Sequence, residues 1–338
     1  MEAELQERAA RYDAMAKMHA IVTFDERRAF DTASVRHLNN FVKACIIDTA
    51  CSVMARSCKD GIRVVDVACG RGQDQSKWMY GCRNAHTHVA AYCGMDLSHA
   101  DIETARILAR RYISPSTSQV HFQTGDMGIC HWDVPDLSAD VVTCQLALHY
   151  FCDEEDHLQH FFREAARVLT PRGLLLVSFT DGRSVVRRAR ESGGRHTARY
   201  YTLDVPPSSY AIRLPSPFSN RYTFTMPGSV EEIPEYLCHE GAACRIAGAY
   251  GLLWGNSMYF DELGVMFNKM PYFQQVSEKM GGNGIGDPDA LDAANLYRHV
   301  VFSKNRDVLS RFSASMKGHH HPVLPRTPET GLRPSPCS

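Results

Sequence analysis

Three carboxylates and a glycine turn are the residues best spaced for chemistry. Val64-Val65-Asp66-Val67 runs into the turn Ala68-Cys69-Gly70-Arg71-Gly72-Gln73-Asp74, and Asp96 follows at the end of the next apolar run. A carboxylate about twenty residues after a glycine turn is placed to accept both hydroxyls of a nucleotide ribose. Asp126, in Gly125-Asp126-Met127, stands at the next strand end, where a polar side chain accepts from an adenine amino group. Asp74 decides the ligand class. A carboxylate beside the turn repels a pyrophosphate, whereas it suits the cationic amino group and sulfonium of S-adenosylmethionine. Read singly, Asp74 is equally a helix N-terminal carboxylate and Asp126 a turn residue; together with Asp96 and Gly70 they make a donor site.

The elements needed to hold these residues are legible from periodicity. Residues 36–57 carry Leu38, Val42, Cys45, Ile46 and Thr49 at helical spacing. Beyond them IRVVDVA reads as a strand and QDQSKWMYG as a helix starting near Gln73. HVAAYCGMDLS, QVHFQTGD, ADVVTCQ and GLLLVSFT read as further strands. The helices HADIETARILARRY and EDHLQHFFREAARVL lie among them. Such alternation implies an α/β fold with a doubly wound, mostly parallel sheet. From about residue 199 the segments YYTLDV, YAIRL and RYTFTM read as antiparallel strands forming a lid over about 199–230. A helix (EEIPEYLCHEGAACRIAGAYG), a strand (LLWGN), a helix (YFDELGVMFNKM), a glycine-rich loop and a last strand (NLYRHVVFS) are expected after it. The Ser-, Pro-, His- and Arg-rich stretch 306–338 is expected to be a disordered tail.

At 338 residues, net charge −1 and 44% apolar content, the chain fits one large globular domain, so any nucleic-acid contact must be a local patch. Its twelve cysteines include no CxxC pair, which points to reduced thiols in an intracellular compartment. No apolar run reaches membrane-spanning length, and the charged N-terminal residues do not read as a signal peptide. The GHHHP tract, without companion cysteines or acids, reads as solvated tail, and no metal site is expected.

VVDVACGRGQDQSKW followed by DVVTCQLALHYFCDEE resembles the cellular mRNA cap guanine-N7 methyltransferases, the second motif being the more specific. LNNFVK, EEIPEYL and LYRHVVF extend the resemblance over roughly residues 5–305. It implies a Rossmann-like seven-stranded methyltransferase sheet with an inserted lid, a catalytic domain over 1–305 and methyl transfer from S-adenosylmethionine to the terminal guanosine cap of mRNA. It implies Lys43, Ala68, Gly70, Asp74, Asp96, Asp126, Gln145 and Tyr150 at the donor, and Asn39, Asn40, His149, Tyr150, Glu235 and Tyr297 around the guanine. It also implies 5′-capped mRNA as partner and the nucleus as location. The family's first turn glycine is Ala68 here, and its second glycine pair is Gly72-Gln73. Ala68 is expected to be tolerated at negative backbone φ.

N7 of guanine carries no proton, so its methylation needs no general acid or base; orientation alone supplies about 7–11 kcal/mol. Glu235 suits the N1 and N2 hydrogens of guanine and His149 its O6. Arg71, Arg183 and Arg187, the last two in a cluster with Arg188, Arg190 and Arg195, are candidates for the cap phosphates or RNA backbone, weighed against a solvated helix face. A KxDG nucleotidyl-transfer motif is absent, so a separate RNA guanylyltransferase or triphosphatase is an expected partner.

Overall fold

A computed structural model describes residues 10, 13, 14 and 32–318, apart from 115, 212–215, 229 and 281. Helix α1 (Ala33–Met54) is buried along most of its surface. It packs on α2 (Gln75–Asn84) at Gly81, where a side chain would meet Cys51 Sγ at 3.0 Å and the Asp48 backbone at 3.2 Å.

The central sheet contains β1 (Ile62–Val67), β2 (Val89–Asp96), β3 (Gln119–Thr124), β4 (Ala139–Cys144) and β5 (Leu169–Thr180) in parallel, joined by β10 (Leu253–Tyr259) and β11 (Tyr297–Ser303). The order β10-β11-β5-β4-β1-β2-β3 reverses between β1 and β4, the position where doubly wound sheets open a crevice for ligands. β11 runs antiparallel between β5 and β10. Helices α3 (His99–Tyr112) and α4 (Glu155–Val168) connect the parallel strands. α4 places Leu158, Phe161, Phe162 and Ala165 in the core at helical spacing.

After α5 (Gly182–Ser192) comes a second, four-stranded antiparallel sheet: β6 (Arg195–Thr197), β7 (Thr202–Asp204), β8 (Arg221–Met226) and β9 (Val230–Tyr236). The chain then forms α6 (Glu240–Ala249), β10, α7 (Phe260–Asn268), α8 (Pro271–Lys279), α9 (Pro288–Ala294), β11 and α10 (Arg306–Met316).

Four expectations change. EEIPEY is not helical: it is β9, an edge strand, the position in a sheet that tolerates a proline such as Pro234, whereas a helix interior would reject it. YAIRL falls mostly outside the described residues, and Tyr210 and Ala211 are not in a strand. Residues 306–316 are not a disordered tail but α10, capped by Asn305 and burying Val308, Leu309, Phe312 and Met316 against α1 and β10. Residues 319–338, with the histidine tract, lie outside the described residues. Ala68 has a positive φ of 56°, the region that favours glycine.

Candidate active site

The strand ends at the sheet's reversal enclose a cavity of about 230 Å³ lined by Ala68, Gly70, Asp96, Asp126, Gln145 and Tyr150, with Leu97, Asp101, Gly125, Met127, Leu146, Ala147 and Phe151. Gly70 N donates to Asp96 Oδ2 (2.7 Å) and Ser98 N to Oδ1 (2.9 Å), so the backbone fixes the carboxylate in one orientation. Burial raises the Asp96 carboxyl and these two bonds oppose it. Gly70 has φ +51°, and nothing lies within 4 Å of where its side chain would be, so the turn presents bare backbone to open space. Asp126 Oδ1 accepts from Gly128 N at 2.8 Å. Gln145 is held at both ends, its Nε2 donating to Thr143 Oγ1 and its Oε1 accepting from Ser178 Oγ, each at 2.9 Å. Leu146, like Ala68, has positive φ (59°), stabilised by its N–H to Ser178 Oγ at 2.8 Å. Two non-glycine residues in the left-handed region thus border one cavity, strain of the kind that collects at functional sites.

Asp74 is absent from this lining. Its Oδ2 pairs with Lys43 Nζ at 2.9 Å and its Oδ1 with Lys77 Nζ at 2.5 Å. Burial pushes its carboxyl up, but the two ammonium groups outweigh burial and hold it well below the usual range. Lys77, three residues along α2, was invisible as a site residue without this geometry; its i, i+3 spacing from Asp74 was the available signal. Arg71 lies beside the cavity, its Nε 3.9 Å from Asp101 Oδ1. Burial, then repulsion from Asp96, pushes the Asp101 carboxyl up to about 7.

A second group of polar side chains is buried next door. His149 and Tyr150 occupy a 3₁₀ turn (Leu148–Cys152) after β4, their ring centroids 4.2 Å apart, and Tyr150 also lines the cavity. His149 Nε2 is 3.4 Å from Glu235 Oε1, with both side chains almost fully buried. Thr180 N donates to His149 Nδ1 (3.3 Å), and Thr180 Oγ1 to Glu235 Oε2 (3.2 Å). Tyr222 OH donates to the same Oε2. Tyr297, buried, pairs in register with Thr180 across β11 and β5 and acts electrostatically on Glu235. Burial pushes the Glu235 carboxyl up, but His149, then Tyr222 and Thr180, hold it below its ordinary range. Asn39 is buried on α1 with Oδ1 unpartnered, and Asn40 follows half-buried.

The arginine cluster divides. Arg188 is buried on Tyr201 and Asp292, Arg190 donates to the Tyr210 and Ala211 carbonyls, and Arg195 pairs with Asp204. Arg187 is exposed and reaches Asn295 Oδ1 at 3.2 Å, while Arg183 is exposed at the start of α5. Among the described residues eleven cysteines are unpaired thiols. Among the described residues no His/Cys/Asp/Glu group could hold a metal, and no helix is long and apolar enough to cross a membrane.

The family model described as mRNA (guanine-N(7))-methyltransferase domain matches residues 5–305. The chain belongs to this family. The mRNA cap guanine-N(7) methyltransferase of Drosophila melanogaster is 28% identical over 240 residues, 64% of this chain and 52% of that protein. The chain therefore spans about half the length of that relative. The mRNA cap guanine-N(7) methyltransferase 1 of Arabidopsis thaliana is 24% identical, over 83% of this chain and 78% of its own. Among solved structures, the CcbJ methyltransferase from Streptomyces caelestis is 13% identical with a TM-score of 0.45, covering 76% of this chain and 88% of that one. Membership makes S-adenosylmethionine the methyl donor. The cavity suits it: a carboxylate fixed by backbone N–H groups, bare glycine backbone, a polar strand end at Asp126 and the apolar Leu97, Met127 and Phe151.

Proposed function

We propose that this chain methylates N7 of the terminal guanosine cap of mRNA, by holding the base in line with the donor and without a general acid or base. The carrying observation is the buried pair His149 and Glu235, 3.4 Å apart, with the His149 ring 4.2 Å from that of Tyr150, which lines the donor cavity. An acid beside an imidazole matches the guanine edge: Glu235 Oε1 accepts from N1–H and N2–H, and His149 donates to O6. Bound in the cavity, S-adenosylmethionine supplies an electrophilic methyl group. Asp96 holds the ribose, Asp126 the adenine amino group, and the fixed amide of Gln145 lines the same space. Tyr150 and Tyr297 form walls beside the base, and the orphaned Asn39 Oδ1 is an acceptor awaiting a donor.

The product is a cation, which a pocket holding one carboxylate favours as charge develops on the ring. Arg71, Arg183 and Arg187 are the phosphate contacts in this reading. Lys43 and Asp74 reach the donor only by rearranging their mutual ion pair. The catalytic domain comprises residues 1–305, with the four-stranded sheet as its lid; capped mRNA is the partner, earlier capping steps fall to a separate enzyme, and the nucleus is the site of action. Purified protein, labelled donor and unmethylated capped RNA test the assignment: label on the terminal guanine supports it, and bound donor with no label on guanine rejects it.

A further inference from the structure

Tyr222 and Glu235 are cross-strand neighbours on β8 and β9, and the phenol lies wholly inside the protein. Its hydroxyl and that of Thr180, from the other sheet, both donate to Oε2 of Glu235. Oε1 is left facing His149 Nε2. The backbone N–H of Thr180 meanwhile donates to His149 Nδ1, so Nε2 is the ring nitrogen that carries a proton toward Glu235. One oxygen is thus saturated by hydroxyls, and an acceptor and an N–H donor stand side by side. Guanine presents donors at N1 and N2 beside the O6 acceptor, whereas adenine presents an N1 acceptor beside an N6 donor.

We infer that Tyr222 is a positioning residue for base specificity: without touching the base, its hydroxyl fixes Glu235 as a carboxylate acceptor that offers Oε1 to guanine. This rests on the guanine pocket proposed above. A buried carboxylate deprived of donors takes up a proton, and a protonated acid presents a donor where guanine also has one. The groups facing Glu235 are His149 from the 3₁₀ turn, Tyr222 from β8, Thr180 from β5 and Tyr297 from β11. Burial pushes both phenols up, so neither changes charge in the acid range. Acid-side loss of cap binding then reports Glu235.

Tyr222→Phe removes the hydroxyl and keeps the ring. It should raise KM for capped RNA roughly tenfold to a hundredfold, as expected for a hydrogen bond to a charged group, with kcat within about twofold. The pH at which cap binding fails on acidification should move upward, and the preference for guanosine over adenosine caps should fall. Donor titration of the same variant checks folding and should match the unsubstituted protein. A carbon-13 label on glutamate gives a readout free of activity: the Glu235 carboxyl should titrate at higher pH in Tyr222→Phe. An unchanged carboxyl titration, or an unchanged KM and acid limb in a protein that does methylate caps, overturns the inference. Failure of the unsubstituted protein to bind capped RNA while Glu235 still titrates higher in Tyr222→Phe removes the guanine reading, and the specificity role with it, but leaves the hydroxyl's hold on the carboxyl standing.

Discussion

His149 Nε2 lies 3.4 Å from Glu235 Oε1, although the two residues are 86 positions apart, one in the turn after β4 of the central sheet and the other on β9 of the second sheet. The distance is short enough for one base to meet both groups. Glu235→Ala leaves the Tyr222 and Thr180 hydroxyls and the His149 ring without their acceptor, and each unsatisfied buried group costs about 1–3 kcal/mol. We expect cap methylation at limiting RNA to fall by roughly a hundredfold or more while donor affinity is retained. Isothermal titration with donor beside steady-state kinetics with capped RNA makes the separation.

The donor side responds to Asp96. Asp96→Ala removes the acceptor of two backbone N–H groups as well as the proposed ribose contacts. Donor affinity should drop by at least about tenfold to a hundredfold, the loss of a single charge-assisted bond being about 1.5–3 kcal/mol. A titration calorimeter measures it directly, and an unaltered dissociation constant would count against the ribose role.

Ala68 carries strain that a glycine would not. A non-glycine residue in the left-handed region costs roughly 1–2 kcal/mol, and glycine's extra unfolded-state freedom offsets part of the relief. Ala68→Gly should therefore stabilise by about 0.5–1 kcal/mol in urea unfolding. Gly70→Ala should destabilise by about 1 kcal/mol through φ +51° alone, as the added methyl meets open space.

Asp66 gives a pH signature. Burial, then repulsion from Asp74, pushes its carboxyl up to about 7, against an ordinary 3.8. A carboxyl raised by folding favours the folded state fully below about pH 4, and that contribution disappears as pH rises through 7. Asp66→Asn lacks this component, so the stability of the unsubstituted protein relative to Asp66→Asn should fall steadily from pH 4 to 7. Thermal unfolding across that range records it; a constant difference would show that Asp66 is ionised throughout.

Much of this organisation is legible in the chain. Buried parallel strands such as IRVVDV and GLLLVSFT announce themselves as short β-branched or leucine runs ending at turns, and the placing of Gly70, Asp96 and Asp126 at strand ends follows from that alternation. Glu235 was harder. EEIPEYL reads as helix by composition, and only the register of Thr223 with Pro234 and Tyr222 with Glu235 reveals an edge strand that delivers the acid inward. Lys77, Thr180 and Tyr222 carry no motif; they matter through partners distant in sequence. α10 was masked by its serines and arginines, even though Val308, Leu309, Phe312 and Met316 keep helical spacing. Ala68 shows the reverse limit, because φ cannot be read from a residue's name.

The central claim is best tested by identifying the atom that receives the methyl group. Capped RNA incubated with protein and labelled donor, then digested to the cap nucleotide, should yield label on N7 of the terminal guanine and none on uncapped RNA. Label on another atom or another acceptor, or none while the donor is demonstrably bound, would contradict the account.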